Sequence, residues 1–388
     1  MASGLNVRKI WRSIADARIF DRINPRLTKY PRGGGLYDII HAKDLHATRA
    51  LAKEFGFPQP DKAFSAQPNL IRTSGGTHAI QAALLAHVLE IGPTELIHSN
   101  PTFFTVPGWA REKEQRKRKM EAIPVHVKPD LSIDVDGIIG KLHERHEEGR
   151  KKGRLKYSSA AVYVAIPENP TGKVLADSEW QQIIDALGKR NTGIFDCVGF
   201  NPLEKTLLDL PRRIIDYARK KGKRVMVVGS ISKLGGTLSD VRAGYLAATG
   251  VDLTPIGNIH LPTRGSMWLE ELFQQQPKLV REMKRFYRTL GSLKKLGYGL
   301  SSEGSNFTCV IIPPHIPFNR IEEELAAAKI DVTLHKKGEP AAARIGVGTH
   351  KMYKDYTGVP FVRIAAVRPD VAKRIADAFK RAAQPARR

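Results

Sequence analysis

The chain has 388 residues, enough for a large domain and a smaller one, and its 41% hydrophobic content excludes wholesale disorder. Lys and Arg number 63 against 39 acids, a net charge of +24 that fits nucleic-acid or membrane-surface contact, a solvated basic surface or a preference for anionic substrates. No apolar run reaches the roughly 20 residues of a membrane helix, and the two cysteines, Cys197 and Cys309, exclude a disulfide framework.

A soluble cytoplasmic protein is therefore the expectation. The start of the chain lacks a signal-peptide core, although its Arg-containing, acid-poor composition leaves an organelle transit segment open. Basic runs lie at 111–119, 150–156, 284–288 and 380–388, without zinc-finger spacing, an RNP-like string or basic-zipper heptads. Specific nucleic-acid binding is not expected from that footprint.

Along the chain, residues 1–55 form no separate domain and are expected to pack with the C-terminal unit. From 56 to 265 short β-branched runs alternate with helix-like stretches. Strands are predicted at 95–99, 122–127, 160–167, 193–198, 225–231 and 244–249, and helices at 77–91, 134–148, 177–187 and 211–221. That alternation implies an α/β domain whose mostly parallel sheet is covered on both faces. A long charged helix over 266–296 then leads into a small α+β domain, 266–388, with strands at 307–312 and 361–367 and a closing helix at 370–383.

Ligands of a parallel α/β sheet sit at the carboxyl ends of its strands. Three polar residues stand at such ends: Asn169, Asp196 and Lys233. Each interval between them holds one helix and one strand, so all three can converge on one cleft. A lysine following an apolar strand, if partly buried, has a depressed pKa and becomes a nucleophile for carbonyl chemistry. A surface lysine and an ordinary helix-capping acid are the plainer alternatives.

The strings around these residues resemble the class I and II aminotransferases. Ser230-Ile231-Ser232-Lys233 is similar to the family's S-x-S-K signature, and Arg242-Ala243-Gly244-Tyr245 to its R-x-G-Y continuation. Asn169-Pro170-Thr171-Gly172 is similar to the N-P-T-G turn, and Asp196 lies where the family places its aspartate. The likeness runs in order over about 30–370. It implies fold type I, the aspartate aminotransferase-like architecture: a three-layer large domain with a mostly parallel central sheet, plus a smaller α+β domain. It implies pyridoxal 5′-phosphate (PLP) held as a Schiff base on Lys233, an amino acid and a 2-oxo acid as substrates, and a homodimer.

Roles follow from the same resemblance. Asp196 would keep the cofactor's ring nitrogen protonated, and Asn169 would donate to its phenolic oxygen. Phe103, or Phe104 if the register shifts by one, would stack on the ring, core packing being the alternative. Gly75, Gly76 and Thr77 open a helix whose backbone N–H groups suit a phosphate, with Ser230, Ser232 and Arg242 completing that site. Arg363, inside an apolar strand-like run, would clamp the substrate α-carboxylate, or sit on a wet edge. Tyr37 would mark the N-terminal segment that in relatives often reaches the partner subunit's site.

One departure stands out. The family's D-x-x-Y string, whose tyrosine donates to the phenolic oxygen, reads Asp196-Cys197-Val198-Gly199 here. A PLP enzyme that cyclises, oxidises, eliminates or decarboxylates therefore remains the alternative to transamination. No metal site is expected: His41 and His46 are off helical spacing, and His143 and His146 read as a charged helix face.

Overall fold

A computed structural model describes residues 36–59, 68–92, 94–103, 105–111, 120–151, 159–199, 208–231, 243–256, 277–303, 305, 307–330, 343–346, 360–365 and 369–384. Four strands are buried along their whole length: β4 (Ala160–Ala165), β5 (Thr192–Asp196), β6 (Val225–Ser230) and β7 (Gly244–Thr249). Runs with no wet face belong inside a sheet covered on both sides. With β1 (Leu70–Thr73), β2 (Thr94–Asn100) and β3 (Met120–His126) they form a seven-stranded sheet ordered β1-β7-β6-β5-β4-β2-β3. Only β7 runs against the others. Pro124 has no N–H to offer a ladder, and β3 is accordingly an edge strand.

Helices cover both faces. Helices α2 (Gly76–Ile91) and α3 (Thr105–Arg111) bury one face with Tyr163, Ile194, Met226 and Leu246. On the other face α4 (Val135–Lys151), α5 (Asp177–Ala186) and α6 (Leu210–Lys220) pack on Val162, Val164, Phe195 and Val227. Ala47, Leu51 and Ala52 of α1 (Leu36–Glu54), with Phe55, join this second cluster. The first 55 residues were expected against the C-terminal unit; those from 47 onward instead serve the large-domain core, because their apolar face meets Leu70 and Tyr245.

The C-terminal unit is a four-stranded antiparallel sheet ordered β10 (Ala343–Gly346), β11 (Phe361–Ala365), β9 (Phe307–Ile311), β8 (Gly299–Leu300). Helices α7 (Pro277–Gly291), α8 (Phe318–Ala327) and α9 (Pro369–Ala382) cover it around Phe286, Leu290, Val310 and Phe379. It docks on the large domain where Cys309 and Phe361 enclose Leu131. Of the long helix expected over 266–296, the described part is α7 followed by a 3₁₀ turn at Ser292–Leu296. Strand β4 stops at Ala165, two residues before Pro167, and β5 stops at Asp196, whose carboxylate takes the Val198 N–H that a ladder would have used. Among the described residues no helix is long and apolar enough to cross a membrane.

One buried histidine ties three elements together. His87 of α2 bonds Thr192 of β5 through Nδ1 (2.8 Å) and Thr94 of β2 through Nε2 (2.7 Å). Burial, and then the charge of Arg224, pushes its pKa down from 6.5 to about 3. The unfolded chain therefore takes up a proton between those values while the folded chain does not. Stability is complete above pH 6.5 and is lost as pH falls toward 3. Across that window the wild type should lose about 1.4 kcal/mol more per pH unit than His87→Gln. Urea unfolding at a series of pH values measures the difference, and parallel curves would clear His87.

Candidate active site

The carboxyl ends of β4, β5 and β6 lie side by side, and each carries a polar residue. Asp196 closes β5, is buried, and turns toward the α2 face of the sheet. Its Oδ2 accepts the Tyr163 hydroxyl at 2.6 Å, and its Oδ1 the Val198 N–H at 2.9 Å. Burial, and then the neighbouring Asp196 charge, raises the Tyr163 pKa well above its usual value, so the phenol keeps the proton it donates.

Asn169 sits in the turn that follows β4. The turn closes through Gly172 N–H to the Glu168 carbonyl (2.6 Å) and Glu168 N–H to the Lys173 carbonyl (2.7 Å). Gly172 has φ 71°, and a Cβ there would strike the Phe307 carbonyl, so this position needs glycine twice over. Strand β9 and its approach hold the turn from the far side. Cys309 Sγ donates to the Pro170 carbonyl (3.2 Å), and the Ser301 hydroxyl donates to that of Thr171.

Ser230 ends β6, opposite Gly244 of β7, and its hydroxyl donates to the Ala243 carbonyl at 3.0 Å. The segment before α2 approaches this pair from above. A Cβ on Gly244 would stand 2.6 Å from the Gly229 carbonyl oxygen and 3.0 Å from the Gly75 Cα. A Cβ on Gly76 would meet Val198 at 2.5 Å. Residues 75–76, 198, 229–230 and 243–244 thus converge in close contacts that a Cβ on the glycines would prevent. No side chain caps the start of α2 and no acid stands in its first turn, leaving an electropositive end where Thr77 lies half-buried.

Phe103 is half-buried and packs on the α2-side core, as Val198 does. Arg363 of β11 holds its guanidinium carbon 4.8 Å from the centre of the Phe307 ring. Phe307 is the residue whose carbonyl abuts Gly172, so Arg363 stands one side chain away from the Asn169 turn. Lys233, Ser232, Arg242 and Phe104 lie outside the described residues, and Tyr37 is described in its backbone alone. Of the expected set, Asn169, Asp196, Ser230, Gly75, Gly76 and Thr77 come together, with Phe103 and Arg363 at the margin.

Two residues escaped the sequence reading. Tyr163 interrupts an otherwise aliphatic strand, and one strand over its partner is Ile194, two residues before Asp196. Glu168 directly follows Pro167 at the end of that same strand. It is fully buried, with Oε1 accepting from Thr102 (2.8 Å) and from the Asn169 N–H (2.9 Å), and Oε2 from Ser99. Burial outweighs these donors and raises its pKa to about 8. Among the described residues no group of His, Cys, Asp and Glu could hold a metal ion.

The sequence profile of aminotransferase class I and II matches residues 38–250. Histidinol-phosphate aminotransferase 1 of Burkholderia lata is 27% identical over 220 residues, covering 54% of this chain and 55% of that protein. The chain thus spans about half the length of the curated relatives it matches. A decarboxylase from Sulfurospirillum multivorans has a similar fold, with TM-score 0.61, 17% identity, and coverage of 95% of this chain and 91% of that one. Histidinol-phosphate aminotransferase from Sinorhizobium meliloti, solved with pyridoxal-5′-phosphate, gives TM-score 0.57 at 15% identity, covering 88% and 82%.

Gly199 has its own steric reason. A Cβ at 199 would lie 2.8 Å from the Pro167 ring and 3.0 Å from the Pro167 carbonyl oxygen. Gly199→Ala should therefore cost about 1–3 kcal/mol of overpacking, read as a lower urea midpoint with an unchanged slope. A variant as stable as wild type would show that the Pro167 contact yields freely.

Proposed function

The chain belongs to the class I and II aminotransferase family, and on that premise we propose that it is a PLP-dependent aminotransferase passing the amino group of an amino acid to a 2-oxo acid. The reading rests on one arrangement: Asn169, Asp196 and Ser230 at adjacent strand ends beside the glycine-lined start of α2. This arrangement fits the cofactor. The backbone N–H groups of Gly75, Gly76 and Thr77, with Ser230, Ser232 and Arg242, would take the phosphate. Asp196, steadied by Tyr163 and Val198, would hold a proton at the ring nitrogen. Asn169 would donate to the phenolic oxygen, and Phe103 would cover a ring face.

PLP, when bound, supplies an electron sink for charge released at the substrate α-carbon. Lys233 would carry the cofactor, and its amine would move the proton at that carbon. Arg363 would clamp the substrate's carboxylate, its fork matching two oxygens. In β10, position 344 is also arginine and stands opposite Arg363 in the ladder. That register, the positive net charge and a relative named for histidinol phosphate support an acidic or phosphorylated donor.

Gly199 favours a second reading. With Pro167 against it, the site has no phenol at that position to stabilise a phenolate, so cyclisation, oxidation, elimination or decarboxylation on the same scaffold stays open. A homodimer, with the segment around Tyr37 reaching the other subunit, and a cytoplasmic setting, favoured by two free cysteines, complete the proposal. Specific nucleic-acid binding forms no part of it.

Lys233→Ala should abolish the visible absorption band of the PLP-loaded protein and lower turnover at least about 10³-fold. Full activity in this variant would refute the assignment. Product analysis separates the two readings: a keto acid with the amino group recovered on the acceptor marks transamination, a keto acid with free ammonia marks elimination or oxidation, and an amine with carbon dioxide marks decarboxylation. Arg363→Lys should raise KM about 10- to 100-fold with a smaller change in kcat, because the bidentate fork is lost. An unchanged KM would move the carboxylate elsewhere.

A further inference from the structure

Among the buried ionisable side chains that the functional reading leaves without a task is Glu168. Its carboxyl reaches two segments far apart in sequence. One is the end of β2 and the loop that follows it, where Ser99 and Thr102 donate to Oε2 and Oε1; the other is its own turn, where the Asn169 N–H donates to Oε1. Phe103 follows Thr102 directly, and Asn169 follows Glu168 directly. A single carboxyl therefore spans the two backbone segments that carry the proposed ring-covering and oxygen-donating residues. We propose that Glu168 is a positioning residue of the cofactor site, a clip that sets the spacing between the Phe103 loop and the Asn169 turn. The inference rests on the PLP reading above.

The surroundings support a clip over a charge. All three contacts are neutral donors, and Asp196 lies close enough for its negative charge to oppose a second one. Burying a carboxylate under those conditions is costly, and burial raises Glu168 to about 8. Near pH 7 the side chain is then mostly a neutral acid, able to donate one hydrogen bond and accept others. Ser99 and Thr102 can accept as readily as donate, so the clip persists with the proton in place. Glutamine is the nearest mimic of that neutral form. A requirement for negative charge would make glutamine fail, and a role in bulk packing would make leucine suffice.

The test compares Glu168→Gln, Glu168→Leu and Thr102→Val in the full-length chain. Two readouts are the PLP dissociation constant, by fluorescence titration of the cofactor-free protein, and amide hydrogen exchange over peptides spanning 99–111 and 168–172. Glu168→Leu should weaken PLP binding by about 10- to 100-fold and speed exchange in both peptides, while Glu168→Gln stays within about threefold of wild type on both counts. Thr102→Val, nearly isosteric and cutting one arm, should fall between them, and it decides the matter should Glu168→Leu not fold. Equal PLP affinity in all four proteins would overturn the clip and leave the PLP reading standing. A glutamine variant as impaired as the leucine variant would also overturn it. Failure of the wild type to bind PLP would take down the functional reading, and the clip with it.

Discussion

The turn from Glu168 to Gly172 is squeezed between the two sheets of the molecule. On one side it hangs from β4 through the Glu168 backbone; on the other the Phe307 carbonyl presses on Gly172, and Ser301 and Cys309 hold the carbonyls of Thr171 and Pro170. The backbone at Asn169 is fixed because both ends of this turn are gripped. The same grip seats the small domain: Leu131 is enclosed by Cys309 and Phe361 next to it. Arg363, resting on the Phe307 ring, is placed relative to Asn169 through a single shared residue. Small-domain position and turn geometry are therefore one constraint.

A second constraint is electrostatic. Asp196 and Glu168 are both buried within range of each other, and a low-dielectric interior resists two negative charges so close. The hydrogen bonds resolve the conflict unequally. Asp196 receives a phenol and an N–H; Glu168 is wrapped by hydroxyls and kept neutral. The negative charge thus collects on Asp196, the residue proposed to face a protonated ring nitrogen. Surface charge plays no part in this arrangement. The arginines of α6, for example, are answered locally, Arg213 by Asp177 and Asp209, and Arg212 by Asp216.

Much of this was legible in the chain because it depends on local pattern. Strands β4 to β7 announce themselves as short, mostly apolar runs; Asn169 and Asp196 could be singled out by the rule that ligands gather at strand ends, and Ser230 by the S-x-S-K resemblance. Gly75 and Gly76 were readable as a helix start that admits an anion. Tyr163 and Glu168 were not, since their meaning lies in register and in loops more than thirty residues away. Neither was the reason for Gly199, which is the Pro167 ring. Residues 47–55 were expected against the C-terminal unit because they form no domain of their own, a pattern that says nothing about which core Ala47, Leu51, Ala52 and Phe55 join.

The position of β1 has a consequence for how the protein is made. Its ladder partner is β7, with Leu70 opposite Ala247, so almost half the chain separates the two. At about 5–20 residues per second a ribosome needs roughly 10 to 35 s to deliver β7 after β1. Meanwhile α2, which follows β1 and buries Ala79, Ile80, Ala83 and Leu84 against Met226, Val228 and Leu246, has no finished sheet to lie on. The proposed phosphate cradle at the start of that helix is therefore among the last parts of the large domain to take shape. A nascent chain of this architecture presents an apolar helix to the cell for a large share of its synthesis, which makes chaperone capacity a practical limit on its yield.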